Sequence, residues 1–231
     1  PCACGGDGSR TCRRPLRVSL DQLRVRWAPR VRANQPDRAG RDVRTEVVPV
    51  LRLFIAVVPP AEAVGELDRF LEPRRDADAA LRWTLPSAWH LTLAFLPSVP
   101  EMAVDDLSDT VAQAVRGTGG FEVGVAGAGA FPHPDRAKAL WLGVSRGTDE
   151  LARLAGKCRG AASRSGLEVD GARFRPHLTL ARANGIPVIR WLRVLEALGL
   201  VSWTADEVEL IRSSALPGGA GYQTLARFPL G

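Results

Sequence analysis

Two of the chain's three histidines head the same tetrapeptide, HLTL, at residues 90–93 and again at 177–180. With ten threonines in 231 residues, the chance that two of three histidines each meet a threonine two positions on is about 0.6%. The chemistry on offer is proton transfer beside a phosphate. An imidazole titrates near 6.5, so a pair at neutral pH can hold one neutral ring that accepts a proton and one charged ring that donates one. Threonine hydroxyls can donate to phosphate oxygens and stabilise charge without titrating. The bland alternative is two strands with polar residues on their solvent face. His133, in FPHPDR, has no threonine partner and reads as part of a surface turn. Nothing in the pattern asks for a metal or another cofactor. Zinc hydrolases use HExxH or add a carboxylate to two histidines, and no Asp or Glu stands beside His90 or His177. A serine nucleophile lacks its G-x-S-x-G setting, and Cys158 lacks a marked partner.

These side chains need strands to aim them. Successive residues of a strand point to opposite faces, so His90 and Thr92 share one face while Leu91 and Leu93 share the other, and likewise His177 and Thr179 against Leu178 and Leu180. With the leucines in a core, each copy presents an imidazole and a hydroxyl about 7 Å apart. Side by side, the copies would line a cleft with two His and two Thr. The surrounding pattern supplies strands at 51–57 (LRLFIAV), 89–95 (WHLTLAF), 121–125 (FEVGV), 138–144 (KALWLGV) and 177–182 (HLTLAR), with late ones in VELIRSS and YQTLARF. Helical spacing appears in AEAVGELDRFLE, EMAVDDLSDTVAQAV, TDELARLAGKCRGAAS and PVIRWLRVLEAL, and GAGAFPHPDR reads as a Gly/Pro-rich turn. Strands joined by loops and single helices predict an α+β fold, mainly antiparallel sheet with helices packed on one face.

Composition bounds the remaining choices. Apolar residues make up 45% and charged residues 24%, which excludes disordered, collagen-like and disulfide-stapled classes. No apolar run approaches the roughly 20 residues of a membrane span. The net charge of +6 suggests nucleic acid until it is located: residues 1–50 hold 11 Arg and 5 Asp+Glu, and the rest is balanced at 20 and 20. A balanced body must grip a nucleic acid at a local site with its own donors. Residues 1–50 lack a packing pattern and read as a disordered N-terminal extension ahead of one domain at 51–231. They carry no secretory signal pattern. Cys2, Cys4 and Cys12 lack the paired spacing of a zinc site, and Cys158 reads as a small buried hydrophobe. A reduced, cytoplasmic location is expected.

The series RLFIAV, RWTLPSAWHLTLAFL, AFPHPDRAKALWLGV and FRPHLTLAR resembles the RNA 2′,3′-cyclic phosphodiesterases of the 2H phosphoesterase superfamily, LigT-like proteins formerly called 2′-5′ RNA ligases, from about Leu51 to Phe228. The resemblance implies a bilobal α+β fold of two antiparallel sheets with flanking helices, related by a pseudo-twofold, with the active site in the groove between lobes. It implies metal-independent hydrolysis of an RNA terminal 2′,3′-cyclic phosphate to a 2′-phosphomonoester. By motif position, His90 would donate a proton, His177 would accept one, and Thr92 and Thr179 would hold the phosphate. The implied substrates are RNA ends or small cyclic-phosphate nucleotides, with no membrane or protein partner. FLPSVP after the first motif departs from the family pattern, and Pro97 would alter the groove's rim. Rival readings are another 2H activity (on a cyclic nucleotide or an ADP-ribose cyclic phosphate, or 2′-5′ ligation) and an RNA-end binder without turnover. Arg175, Arg136 and Lys138 are candidates for RNA backbone contacts, and Phe131, Phe174 and Trp89 for base stacking.

Overall fold

Leu51, Leu53, Ile55 and Val57 alternate with Arg52, Phe54 and Ala56, so the first strand, β1 (Val50–Val57), is covered on both sides. Its odd positions enter the main core, while Phe54 and Ala56 join Ile211 in a smaller cluster on the opposite face. The computed structural model describes residues 49–216 and 219–231, without the side chains of 215–220, so most of the N-terminal segment read above as an extension lies outside the described residues. After β1 come α1 (Ala61–Leu71), a 3-10 turn that takes in Pro73, and the short strand β2 (Arg82–Trp83). Then follow β3 (Leu91–Pro100), α2 (Val104–Val115), β4 (Phe121–Phe131), β5 (Ala137–Arg146), α3 (Thr148–Arg164) and β6 (His177–Ile186). The chain closes with α4 (Ile189–Glu196), β7 (Val201–Ala205), β8 (Glu207–Leu216) and β9 (Gly219–Pro229).

All recorded strand pairs are antiparallel, in the order β7-β4-β5-β6-β3-β1-β8-β9, with β2 added to β6. Outward from the centre, the main order runs through four strands in each half, with β2 as a fifth strand on β6, and each half begins with the strand of an HLTL copy. The lobes are these two antiparallel halves, continuous with each other through the single pair Leu91↔Leu178. The chain adds β2 to the second lobe before completing β3 and α2, then builds the rest of the second lobe, and returns to add β8 and β9 to the first. All four helices contribute to one core on one face of the sheet, which runs through both halves. The other face is left to the groove. Among the described residues, no helix is long and apolar enough to cross a membrane.

β4 and β3 differ from the sequence pattern. β4 runs through the GAGA segment expected as a turn: Gly127 takes φ +71°, and the register with β5 jumps between Val125 and Ala128, so the glycine makes a bulge rather than an end. Trp89 and His90 precede β3 instead of opening it, because a 3-10 turn over Pro86–Ala88 closes with Trp89 N–H donating to the Pro86 carbonyl (3.2 Å). Pro97 lies inside β3, where the register with β1 shifts between the Leu53↔Leu96 and Leu51↔Val99 pairs, a bulge that accommodates its missing N–H.

Candidate active site in the groove between the lobes

The site is built around Leu91↔Leu178. Both leucines are buried in the main core, so the residues flanking them turn to the groove face. Leu91↔Leu178 is the one recorded pair between β3 and β6, and it brings the two HLTL copies together at the centre of the groove. Thr92 and His177 line the same cavity, and positive charge on His177 acts on His90.

The backbone repeat is longer than four residues. In β3, consecutive Leu93 and Ala94 are both buried, and β1 passes from Ala94 to Thr92 between Ile55 and Ala56. In β6, Leu180 and Ala181 are both buried, and β5 passes from Ala181 to Thr179 between Leu140 and Trp141. Each HLTLA segment thus carries a bulge that shifts the side-chain alternation by one. The next residue turned away from the core is Phe95 in the first lobe and Arg182 in the second.

Both imidazoles are tied down in the same way. His90 Nδ1 donates to the Ala88 carbonyl (2.8 Å) and His177 Nδ1 to the Arg175 carbonyl (2.7 Å), each two residues upstream. A carbonyl only accepts, so the neutral ring must carry its proton on Nδ1, leaving the Nε2 lone pair for proton exchange. Phe54 stacks on His90 at 4.5 Å between centroids, and Tyr222 meets it edge-on at 5.3 Å. Around His177, Phe131 is edge-on at 5.0 Å and Trp141 tilted at 6.0 Å. Trp141 lies across Gly129, where a Cβ would come within 2.2 Å of the indole.

Burial is the main cause that pulls both histidines below the ordinary imidazole value. Their carbonyl partners oppose it, and the Arg182 guanidinium lowers both further. Among the described residues, no three His, Cys, Asp or Glu side chains are grouped to share a metal ion. Cys158 is buried in α3 with its thiol pushed up to about 12 by desolvation, which suits a packing role. The three N-terminal cysteines lie outside the described residues.

The structure brings His90, Thr92, His177 and Thr179 to one face. Phe131 and Phe174 line the adjoining cavity, with the Arg175 guanidinium 5.9 Å from the Phe131 centroid. Trp89 does not join them: it is 1% exposed in the core, because it precedes the turn to the groove face. Arg136 and Lys138 are exposed at the β4–β5 turn and the start of β5, and His133 is exposed in that turn. Sequence reasoning missed Phe54, Trp141, Tyr222 and Arg182. The repeat itself signalled Arg182, since HLTLAF and HLTLAR first diverge at that position.

The fold agrees with the comparisons. The family model described as the 2′-5′ RNA ligase superfamily matches residues 57–216, and the chain belongs to that family. It is 27% identical to the RNA 2′,3′-cyclic phosphodiesterase of Thermotoga maritima over 177 residues, 76% of this chain and 93% of that protein. It is 30% identical to the RNA 2′,3′-cyclic phosphodiesterase of Aeropyrum pernix over 152 residues, 64% of this chain and 84% of that protein. The crystal structure of E. coli LigT complexed with 3′-AMP has a TM-score of 0.62 at 29% identity, covering 79% of this chain and 99% of LigT.

Proposed function

We propose that this chain is an RNA 2′,3′-cyclic phosphodiesterase, opening a terminal cyclic phosphate to a 2′-phosphomonoester by metal-independent acid–base catalysis between His90 and His177. The observation that carries the reading is the repeated hydrogen bond from Nδ1 to the carbonyl two residues upstream, which leaves Nε2 of each half-buried ring for proton exchange. The relatives named RNA 2′,3′-cyclic phosphodiesterase support the reaction class.

In the proposed step His177 Nε2 takes a proton from water as its oxygen bonds to phosphorus. The P–O3′ bond breaks, and protonated His90 gives its Nε2 proton to the departing 3′ oxygen. A proton thus leaves one imidazole and enters the other, and the ring opens with the phosphate left on O2′. The order of roles follows motif position. Thr92 and Thr179 hydroxyls donate to the non-bridging oxygens, where charge develops. Holding one phosphate between the lobes orients water and leaving group in line.

The test is a short RNA ending in a 2′,3′-cyclic phosphate, incubated with protein and a chelator, with product position read by mass and phosphatase sensitivity. A 2′-phosphate without added metal is expected. Tight binding with no product would make the chain an RNA-end binder, and a chelator-sensitive reaction would remove the metal-independent mechanism.

A further inference from the structure

His90 belongs to the first lobe, but the chain that holds its ring is fastened to the second. Nδ1 is fixed by the Ala88 carbonyl, at the end of the 3-10 turn over Pro86–Ala88. Just upstream, Thr84 N–H donates to the Leu180 carbonyl (2.8 Å), one residue beyond Thr179 in the second motif. Before that, β2 sets Trp83 opposite Ala181 and Arg82 opposite Arg182. The seat of the His90 ring therefore depends on how β2 lies against β6.

That pairing does not hold itself. Two residues make few ladder bonds, and one of the two pairs puts like charges directly opposite each other, which opposes the contact. Arg82 Nη2 reaches Asn184 Oδ1 at 3.5 Å, a long and weak bond. The missing support comes from α4, and Asp78 gathers it. One carboxylate oxygen of Asp78 accepts from Arg190 Nη2 (2.7 Å) and Trp191 Nε1 (3.1 Å), and the other accepts from Ala80 N–H (3.1 Å). Its carbonyl accepts from Leu81 N–H (3.1 Å). Arg190 Nη2 also donates to the Ala77 carbonyl (2.9 Å). Trp191, oriented in this way, meets Trp83 edge-on at 5.0 Å, and Trp83 Nε1 donates to the Arg75 carbonyl (3.1 Å). Because α4 packs on β4, the anchor is the second lobe itself. The Asp78 side chain is 17% exposed, and the Trp191 donor is the main cause that holds its carboxyl below the usual carboxylate value, so it stays charged at neutral pH.

Resting on the proposed function, we infer that Asp78 is a positioning residue for His90. By pinning the strap from Glu72 to Trp83 onto α4, it seats β2 on β6. Through Thr84 and the 3-10 turn, that seat fixes where the Ala88 carbonyl holds the ring relative to His177. The partners of Asp78 are Ala80, Leu81, Arg190 and Trp191, so it acts on the imidazole through the backbone.

The experiment measures kcat and KM on a cyclic-phosphate RNA end, and the histidine ring resonances by NMR, in Asp78→Ala and Arg190→Gln. A third variant, Val115→Ala in the buried core of α2, loosens the first lobe away from the strap and shows what lost stability does by itself. Asp78→Ala is expected to lower kcat about 10-fold to 100-fold, the scale of a misplaced reacting group, with KM held within about twofold. Its His90 resonances should shift more than those of His177. Arg190→Gln keeps the Trp191 bond and changes a side chain that is 60% exposed, so it is expected to fold and to move both readouts the same way by less. Val115→Ala is expected to keep kcat and the His90 resonances at a comparable fall in denaturant midpoint. Wild-type kcat with unmoved His90 resonances in both strap variants overturns the inference, and so does an equal effect in Val115→Ala. If the wild type does not hydrolyse the RNA end, the proposed function falls, and the ring resonances alone decide whether Asp78 places His90.

Discussion

The two lobes give their histidines the same backbone and different company. In each, HLTLA runs through the central pair and a bulge, and Nδ1 is tied to a carbonyl two residues upstream. In the first lobe His90 lies on the face of Phe54, in a groove wall built with Ala56, Ile211 and Phe95. In the second, His177 is met edge-on by Phe131 and obliquely by Trp141, and the position after the bulge carries a cation, Arg182, in place of Phe95. Repetition therefore ties each ring through the same nitrogen, and the divergent residues set how each ring holds its proton. Burial lowers both rings, while one guanidinium from the second lobe acts on the two together.

Removing the first lobe's platform should have the largest effect. Phe54 is 3% exposed, so Phe54→Ala is expected to lose about 3–5 kcal/mol of stability by denaturant unfolding. With less burial, the His90 pKa should rise towards the ordinary imidazole value in an NMR titration, and His177 should move less. In the second lobe, Gly129→Ala places a Cβ against the Trp141 ring and is expected to cost about 1–3 kcal/mol, with the His177 resonances shifting more than those of His90. Equal shifts in both rings would mean that the lobes do not act separately on their histidines.

Arg182→Gln removes the charge common to both rings, so both pKa values should rise and the bell-shaped pH profile of kcat/KM should move to higher pH with its width kept. Movement of one limb alone would show that the guanidinium acts on one ring only. The smallest effect is on stability against pH. Because both folded-state values lie below the unfolded one near 6.5, the unfolded chain binds more protons as pH falls. The contribution of the neutral rings is therefore complete above that value and lost as pH drops through the folded-state values. The decline in denaturant midpoint below pH 6.5 should be shallower in a His90→Ala, His177→Ala double variant than in the wild type.

The catalytic candidates were legible because a strand translates a one-in-two spacing directly into a shared face, and because the motif occurs twice. The bulges were not. Extending the alternation from His177 and Thr179 puts Ala181 on the groove face and Arg182 in the core. The structure reverses both, since an extra residue in each strand shifts the parity, and no local residue type announces it. Phe54 and Tyr222 escaped notice because their contacts with His90 depend on strands far apart in sequence. β7 was legible and passed over: Val201, Trp203 and Ala205 are buried in alternation with exposed Ser202 and Thr204. β4 was cut short because glycines disfavour strands, although here one forms the bulge and another makes room for Trp141.

The central claim is that two imidazoles on opposite lobes act on one phosphorus centre as a unit. It is tested most directly by kcat/KM on a cyclic-phosphate RNA end for His90→Ala, His177→Ala and the double variant. Each single change is expected to cut the rate about 100-fold to 10,000-fold, with the double variant close to the worse single. Near-native turnover in either single variant, or losses that multiply in the double, would contradict it.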